Sequence, residues 1–134
     1  SLSQPSGLSL VGDKLYFVDA ETSSLRVLEH GKITTLIGKG LFDFGLKDGD
    51  KASALMQHTT GVFATADKVY LADTYNNAVR VYDVKTGKLS TLAKGLKEPN
   101  DVLLSEGKLI VVDTGDHALK KIDLKTGKAE NFIQ

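Results

Sequence analysis

Short runs of apolar and β-branched residues recur along the whole chain, separated by turns that contain Gly, Asp, Lys or Ser. Three of these runs are almost continuously apolar, which is typical of strands buried on both faces of a sheet. They are LYFVD (15–19), VYLAD (69–73) and LIVVD (109–113). The pattern predicts an all-β protein; the best helical candidate, KASALMQH at 51–58, is long enough for about one turn.

Each apolar run belongs to a longer unit that occurs three times. The segments 5–19, 59–73 and 99–113 align without a gap, and a basic residue stands seven positions after the Asp that ends each segment. These bases are Arg26, Arg80 and Lys120. Each unit reads as four strands: a first strand, the apolar run, an alternating strand that places its base outward, and a strand after a Gly-Lys turn. The first strands are predicted at 8–10, 62–64 and 102–104.

Four strands per unit of roughly 40 residues, repeated in tandem, predict the blades of a β-propeller. The stretch LADTYNNAVRVYD at 71–83 resembles the most characteristic part of the NHL repeat. The Gly-rich linker is similar to connections between NHL blades, and its GLFDFG resembles NHL proteins whose propeller follows a thioredoxin-like domain. The predicted organisation is one propeller segment, 1–134, with blades at about 2–38, 57–94 and 96–134 and a linker at 39–56.

Three blades are fewer than the four to eight with which propellers close. We therefore expect half of a six-bladed ring, because three blades alone leave two apolar blade faces uncovered. Two alternatives are consistent with the repeats. Either the remaining blades belong to a longer parent chain, or the chain is a natural half-ring and self-associates, two copies completing the ring.

Charge and composition narrow the classes of partner. The 134 residues contain 17 Lys or Arg and 17 Asp or Glu, so the formal net charge is zero and nucleic acid is not an expected partner. No apolar run approaches the length of a membrane span, and no signal peptide is visible in SLSQPSGLSL, which slightly favours the cytoplasm without determining the compartment. There is no Cys, which excludes disulfides and thiolate chemistry.

An aspartate closes the apolar run of every unit: Asp19, Asp73 and Asp113. A carboxylate reused in each repeat is expected to hold the following turn with its oxygens rather than to catalyse a reaction. The bases at Arg26, Arg80 and Lys120 are expected to pair with acids on the exposed face, where such pairs contribute about 1 kcal/mol or less.

The better candidates for binding are the residues just before each first strand, because the first strand of a propeller blade lines the central channel. These channel-mouth positions are Ser6, Thr60, Asn100 and Asp101. The segment EPNDV (98–102) is similar to the motif that supplies an Asn ligand in calcium-dependent lactonases, yet Ser6 and Thr60 bring no carboxylate to the matching places. No metal site or cofactor is predicted, and calcium is the one ion that the resemblance suggests.

The three His residues share no metal-ligand spacing, and His58 is expected to be a packed loop residue. The Phe residues of LFDF (41–44) are expected to pack the linker onto the propeller; the alternative is that they present an apolar patch to a partner. The sequence favours a non-enzymatic scaffold that binds a protein or small ligand at the channel mouth. The alternative is a metal-dependent hydrolase or lactonase that uses Asn100 and Asp101 in a complete ring, and whether the protein is an enzyme stays open.

Overall fold

A computed structural model describes residues 1–133, which form three antiparallel sheets of four strands each, in chain order. The first sheet contains β1 (Pro5–Val11), β2 (Lys14–Asp19), β3 (Ser24–Glu29) and β4 (Lys32–Ile37). The second contains β5 (Gly61–Ala64), β6 (Lys68–Asp73), β7 (Ala78–Asp83) and β8 (Leu89–Ala93). The third contains β9 (Pro99–Ser105), β10 (Lys108–Asp113), β11 (Ala118–Asp123) and β12 (Ala129–Ile133). We call the sheets blade 1, blade 2 and blade 3.

The corner between the second and third strand of each blade has the same backbone shape. In blades 2 and 3 it is a 3₁₀ turn, Thr74–Asn76 and Thr114–Asp116, that ends at a left-handed residue. Asn77 and His117 have φ of 54° and 52°, and Ser23 has φ of 51° at the same place in blade 1. Asn and His tolerate this conformation better than most side chains, so the polar corner residues are selected by the turn.

Alternating side chains of each strand face opposite neighbours, and two cores result. Tyr16 and Val18 of blade 1 pack with Val69 and Leu71 of blade 2 in the first core. The other face of β6 packs with Leu109 and Val111 of blade 3 in the second core, through the residues Tyr70 and Ala72. The apolar run of blade 2 is therefore buried on both faces, as its sequence predicts. In blade 3 the same pattern leaves Val112 38% exposed, because its face meets no further blade.

The linker between blades 1 and 2 differs from one prediction. The segment 51–58 forms no more than the single turn expected of it, in which the N–H of Ala54 donates to the carbonyl of Asp50, and Lys47 pairs with Leu55 as an isolated bridge. Phe42 and Phe44 do not pack onto the propeller: they are 90% and 51% exposed. The part of the linker that does pack is Ala54 and Met56, which are fully buried in the first core.

The all-β prediction is confirmed, and the only helical segments in residues 1–133 are the two 3₁₀ turns. None of these segments is long and apolar enough to cross a membrane.

Candidate functional site

The first strands of adjacent blades lie so close together that no side chain fits at Gly7 in β1 or at Gly61 in β5. A Cβ on Gly7 would lie 2.5 Å from the carbonyl oxygen of Thr60, and a Cβ on Gly61 would lie 2.7 Å from that of Asn100. Glycine is required at both positions for this approach of two backbones. The third equivalent is Asp101, which is exposed and faces no blade.

Polar groups link the blades at this end of the first strands. The Ser6 hydroxyl donates to the carbonyl of Thr59 (3.2 Å), and the Thr60 hydroxyl donates to the carbonyl of Asn100 (3.0 Å). The Asn100 amide in turn donates to the hydroxyl of Thr114 at 2.5 Å. Three of the four predicted positions differ from expectation, because Ser6 lies inside β1 and Asn100 and Asp101 lie inside β9, and only Thr60 precedes its strand. Hydrogen bonds between blades therefore involve Ser6, Thr60 and Asn100, and Asp101 lies next to Asn100 in β9; we call these four residues the channel-mouth row.

The carboxylate of Asp101 accepts the N–H of Val102 at 2.9 Å. Within residues 1–133 no three His, Asp or Glu side chains come close enough together to hold a metal ion. What this end of the blades offers a ligand is a set of oriented hydroxyl, amide and carboxylate groups on rigid strands.

Asp19, Asp73 and Asp113 are fully buried, and each binds the segment that precedes its own blade. Their carboxylates accept the N–H groups of Ser3, Gln57 and Lys97, each 16 residues earlier, at 2.7 to 2.8 Å. The sequence predicts that they hold the following turn. Asp19 also does this, through the N–H of Thr22 at 3.3 Å, and Asp73 does it by accepting from the side-chain amide of Asn76 in the 3₁₀ turn at 2.8 Å, whereas Asp113 makes no side-chain capping bond to its turn. These residues connect the entrance of a blade to the end of its second strand.

The environment of Asp19 shows what the carboxylate contributes. Burial acts to raise the pKa of Asp19, but the N–H groups of Ser3, Gln4 and Thr22 outweigh it and hold the pKa below its ordinary value. The charged form is therefore the one that the folded blade stabilises.

The base of each blade is more buried than the sequence predicts. Arg80 is fully buried, and its guanidinium donates to the carboxylate of Asp73 at 2.8 Å. Lys120 is 14% exposed, with its ammonium 2.7 Å from Asp113 and 2.8 Å from Asp116. The expected pairing with acids is found for Arg80 and Lys120, whereas within residues 1–133 Arg26 pairs with no acid and donates to the carbonyl of Ser1. The expected exposed face is wrong for Arg80, because the linker covers it.

Sequence reasoning did not single out the linker residues that bind Arg80. Its guanidinium donates to the carbonyls of Leu55 (2.8 Å) and Lys47 (2.9 Å) and to the carboxylate of Asp48 (3.0 Å). Asp48 stands 32 residues before Arg80, and no local spacing connects the two. His58 lies in the same region and stacks on Tyr75 with ring centroids 4.2 Å apart, which is the packed loop position expected of it.

Comparison with known proteins identifies the family to which the repeats belong. NHL repeat-containing protein 2 of Homo sapiens is 39% identical over 118 residues, which cover 77% of this chain and 16% of that protein. The chain consists of NHL-type propeller blades. The protein SUPPRESSOR OF QUENCHING 1, chloroplastic, of Arabidopsis thaliana is 39% identical over 104 residues, which cover 69% of this chain and 10% of that protein. This NHL segment thus spans about a tenth to a sixth of the length of the curated relatives it matches.

Solved structures agree on the fold of the NHL blades. Virginiamycin B lyase from Staphylococcus aureus superposes with a TM-score of 0.71 over 98% of this chain and 41% of that protein, at 12% identity. At this identity the likeness shows the propeller fold alone. No protein-family model matches the chain.

Proposed function

We propose that the chain is a non-enzymatic binding scaffold that engages a protein partner through the outer face of blade 1. One observation carries the proposal. Leu8 and Leu10 on this face are 70% and 69% exposed, whereas the equivalent residues of blade 2, Val62 and Ala64, are 5% and 7% exposed because blade 1 covers them. The outer face of blade 1 thus has the side-chain pattern of an interface without a neighbouring blade in this chain.

The outer face of blade 1 is open and apolar, as the faces that pack between blades are. Beside β1 lies an open apolar groove of about 520 Å³, lined by residues that include Leu2, Leu15, Phe17, Leu28 and Ile33. Exposed apolar patches of this kind are typical of surfaces that bind protein. The channel-mouth row of Ser6, Thr60, Asn100 and Asp101 is the second part of the proposed scaffold, at which smaller ligands bind.

The partner we propose for the outer face is blade 3 of a second copy. Blade 3 exposes its own apolar residues on the face away from blade 2, among them Leu103 (47%) and Val112 (38%). Blade 3 against blade 1 in both directions closes a twofold ring of six blades. The junction between copies is looser than those within the chain, because Asp101 replaces the glycine found at Gly61 and its Cβ keeps the neighbouring backbone further away.

Sizing by light scattering at micromolar concentration tests this arrangement. We expect twice the chain mass of 14.4 kDa, and we expect Leu8→Arg to give the single-chain mass. Phe42→Ser is the matched control, because it removes an exposed apolar side chain from the linker and leaves the blade faces intact. A monomeric wild-type chain, or a Leu8→Arg variant of unchanged mass, contradicts the proposed pairing.

The non-enzymatic assignment is tested separately with calcium and zinc. We expect neither ion to shift the thermal unfolding midpoint specifically and no hydrolysis of simple lactones or esters. A shift of the unfolding midpoint that depends on one ion and is lost in Asn100→Ala, together with hydrolysis that needs the same ion, would contradict the scaffold proposal. It would favour a metal-dependent hydrolase instead.

A further inference from the structure

Every blade has a lysine at the start of its second strand and an acid at the end of its third strand. In blade 2 the two form an ion pair, with the ammonium of Lys68 2.5 Å from the carboxylate of Asp83. In blade 3 the corresponding distance, from Lys108 to Asp123, is 3.7 Å. The lysine and the acid lie opposite each other in the strand pairing, so the sheet itself favours their contact.

Blade 1 has the same two residues but not the ion pair. Lys14 begins β2 and Glu29 ends β3, so they occupy the places of Lys68 and Asp83. Within residues 1–133, Lys14 forms an ion pair with no carboxylate. The basic group that lies within 4.0 Å of the Glu29 carboxylate is the imidazole of His30, at 3.9 Å. A cation and an anion thus stay apart in this blade.

The turn after the third strand also treats the acid of blade 1 differently. In blade 2 the turn DVKTGK (83–88) folds back on Asp83, whose carboxylate accepts the N–H groups of Lys85 and Thr86 at 2.9 and 3.0 Å. The turn of blade 1, EHGK (29–32), is two residues shorter, and no N–H group of residues 1–133 donates to the Glu29 carboxylate. Glu29 is therefore held neither by its turn nor by the lysine of its blade.

Lys14 and Glu29 both line an open pocket of about 250 Å³ at the junction of blades 1 and 2. Its walls are the turn between β1 and β2, the end of β3, and the turn between β5 and β6, so it lies at the opposite end of the strands from the channel mouth. Asp13 adds a second carboxylate, and Val11 and Ala66 add apolar surface. All of the lining residues belong to two blades that are packed on each other, so the pocket is not an uncovered outer face.

A buried hydroxyl group lines the same pocket. Tyr16 is 3% exposed, and its ring packs in the first core. Its hydroxyl makes no hydrogen bond within residues 1–133, although a buried tyrosine hydroxyl usually has a partner. Because Tyr16 lines the pocket, a molecule bound there can supply that partner.

We infer that this pocket binds a small free α-amino acid, whose carboxylate lies against Lys14 and whose ammonium lies against Glu29 and Asp13. A zwitterion satisfies both unpaired charges of the pocket at once, which neither a simple cation nor a simple anion does. The Tyr16 hydroxyl completes the site as a donor to the carboxylate. The volume of about 250 Å³ accommodates glycine or alanine. The site goes beyond the proposed scaffold, because it uses neither the outer face of blade 1 nor the channel-mouth row.

Glycine is the probe for this site, titrated into the isotope-labelled chain and followed by amide chemical shifts. We expect saturable shifts with a Kd on the order of 1 mM, because the charged partners are partly exposed. Glu29→Gln and Lys14→Met are each expected to weaken binding about tenfold, since each removes one charge-assisted contact. Tyr16→Phe keeps the packed ring and is expected to weaken binding about threefold. It removes no hydrogen bond within residues 1–133, so this variant keeps the test valid if a charge variant fails to fold.

Matched controls remove the same charges elsewhere. Lys85→Met and Glu106→Gln lie in exposed turns of blades 2 and 3, away from the pocket, and are expected to leave glycine binding unchanged. Ethylamine and acetate each carry one of the two charges of glycine, and both are expected to bind at least about tenfold more weakly. Absence of saturable shifts, equal effects of Glu29→Gln and Glu106→Gln, unchanged binding in Lys14→Met, or ethylamine or acetate that binds as tightly as glycine would overturn the assignment.

Discussion

The buried acids at the blade corners allow one interaction to be isolated by comparing two blades of the same chain. In Asp73→Asn the carboxylate that binds Arg80 becomes neutral, whereas in Asp19→Asn an equally buried carboxylate without an ion pair is changed. Both substitutions keep the size of the side chain. The difference between the two losses of stability therefore reports the ion pair with Arg80 together with the hydrogen bond from Asn76.

The expected magnitudes follow from the hydrogen bonds of each acid. After Asp73→Asn one side-chain oxygen still accepts from Gln57 and Thr59, but the new amide group faces two donors, the guanidinium of Arg80 and the amide of Asn76. Breaking a buried ion pair in this way costs about 3–5 kcal/mol. After Asp19→Asn one oxygen keeps its donors and only the bond from the N–H of Ser3 is lost, a cost of about 1–3 kcal/mol.

The assay is urea unfolding followed by circular dichroism in the β region, with the free energy of unfolding extrapolated for each variant. We expect Asp73→Asn to be less stable than Asp19→Asn by about 2 kcal/mol. Equal losses in the two variants would refute the reasoning, because they would mean that the Arg80 pair contributes nothing beyond the bonds that every corner makes. Arg80→Met, which leaves Asp73 buried without its cation, is expected to be at least as damaging as Asp73→Asn.

Three other predictions use different parts of the molecule. Gly61→Ala should lower the free energy of unfolding by about 1–3 kcal/mol, because its Cβ meets the backbone of blade 3 at 2.7 Å; a neutral result in urea unfolding would contradict the close approach. Met56→Ala should cost about 2–5 kcal/mol and Phe42→Ser within about 0.5 kcal/mol in the same assay, because Met56 is fully buried and Phe42 is 90% exposed; the reverse order would be inconsistent with the linker packing. The hydrogen bond from Lys68, with help from the N–H of Thr86, lowers the pKa of Asp83 to about 2, so the stability from this group is present above its ordinary pKa and is lost as pH falls through about 2. In carboxyl NMR titrations Lys68→Met should raise that pKa and leave that of Asp123 unchanged, and an unmoved Asp83 would rule the cause out.

Much of the fold could be predicted because the same local sequence pattern occurs in all three repeats. Alternation and turn residues are local, so they indicate strands, their order and the corners at Asp19, Asp73 and Asp113. The burial of Arg80 could not be predicted, since an Arg at an alternating position is usually exposed. Its cover is the linker carboxylate of Asp48, which only chain folding brings there.

The sequence by itself determined the class of the protein, its unit and the number of units, because strand periodicity and turn chemistry act over a few residues and recur at equivalent positions. The tertiary structure decided how equivalent residues come to differ. Arg80 stands at an alternating strand position, yet it is sealed by the carboxylate of Asp48, which lies 32 residues before it. Gly61 and Asp101 are equivalent, but only Gly61 meets a neighbouring backbone. The environment of a repeated residue depends on its neighbours in space, and those contacts between distant parts of the chain leave no local trace in the sequence.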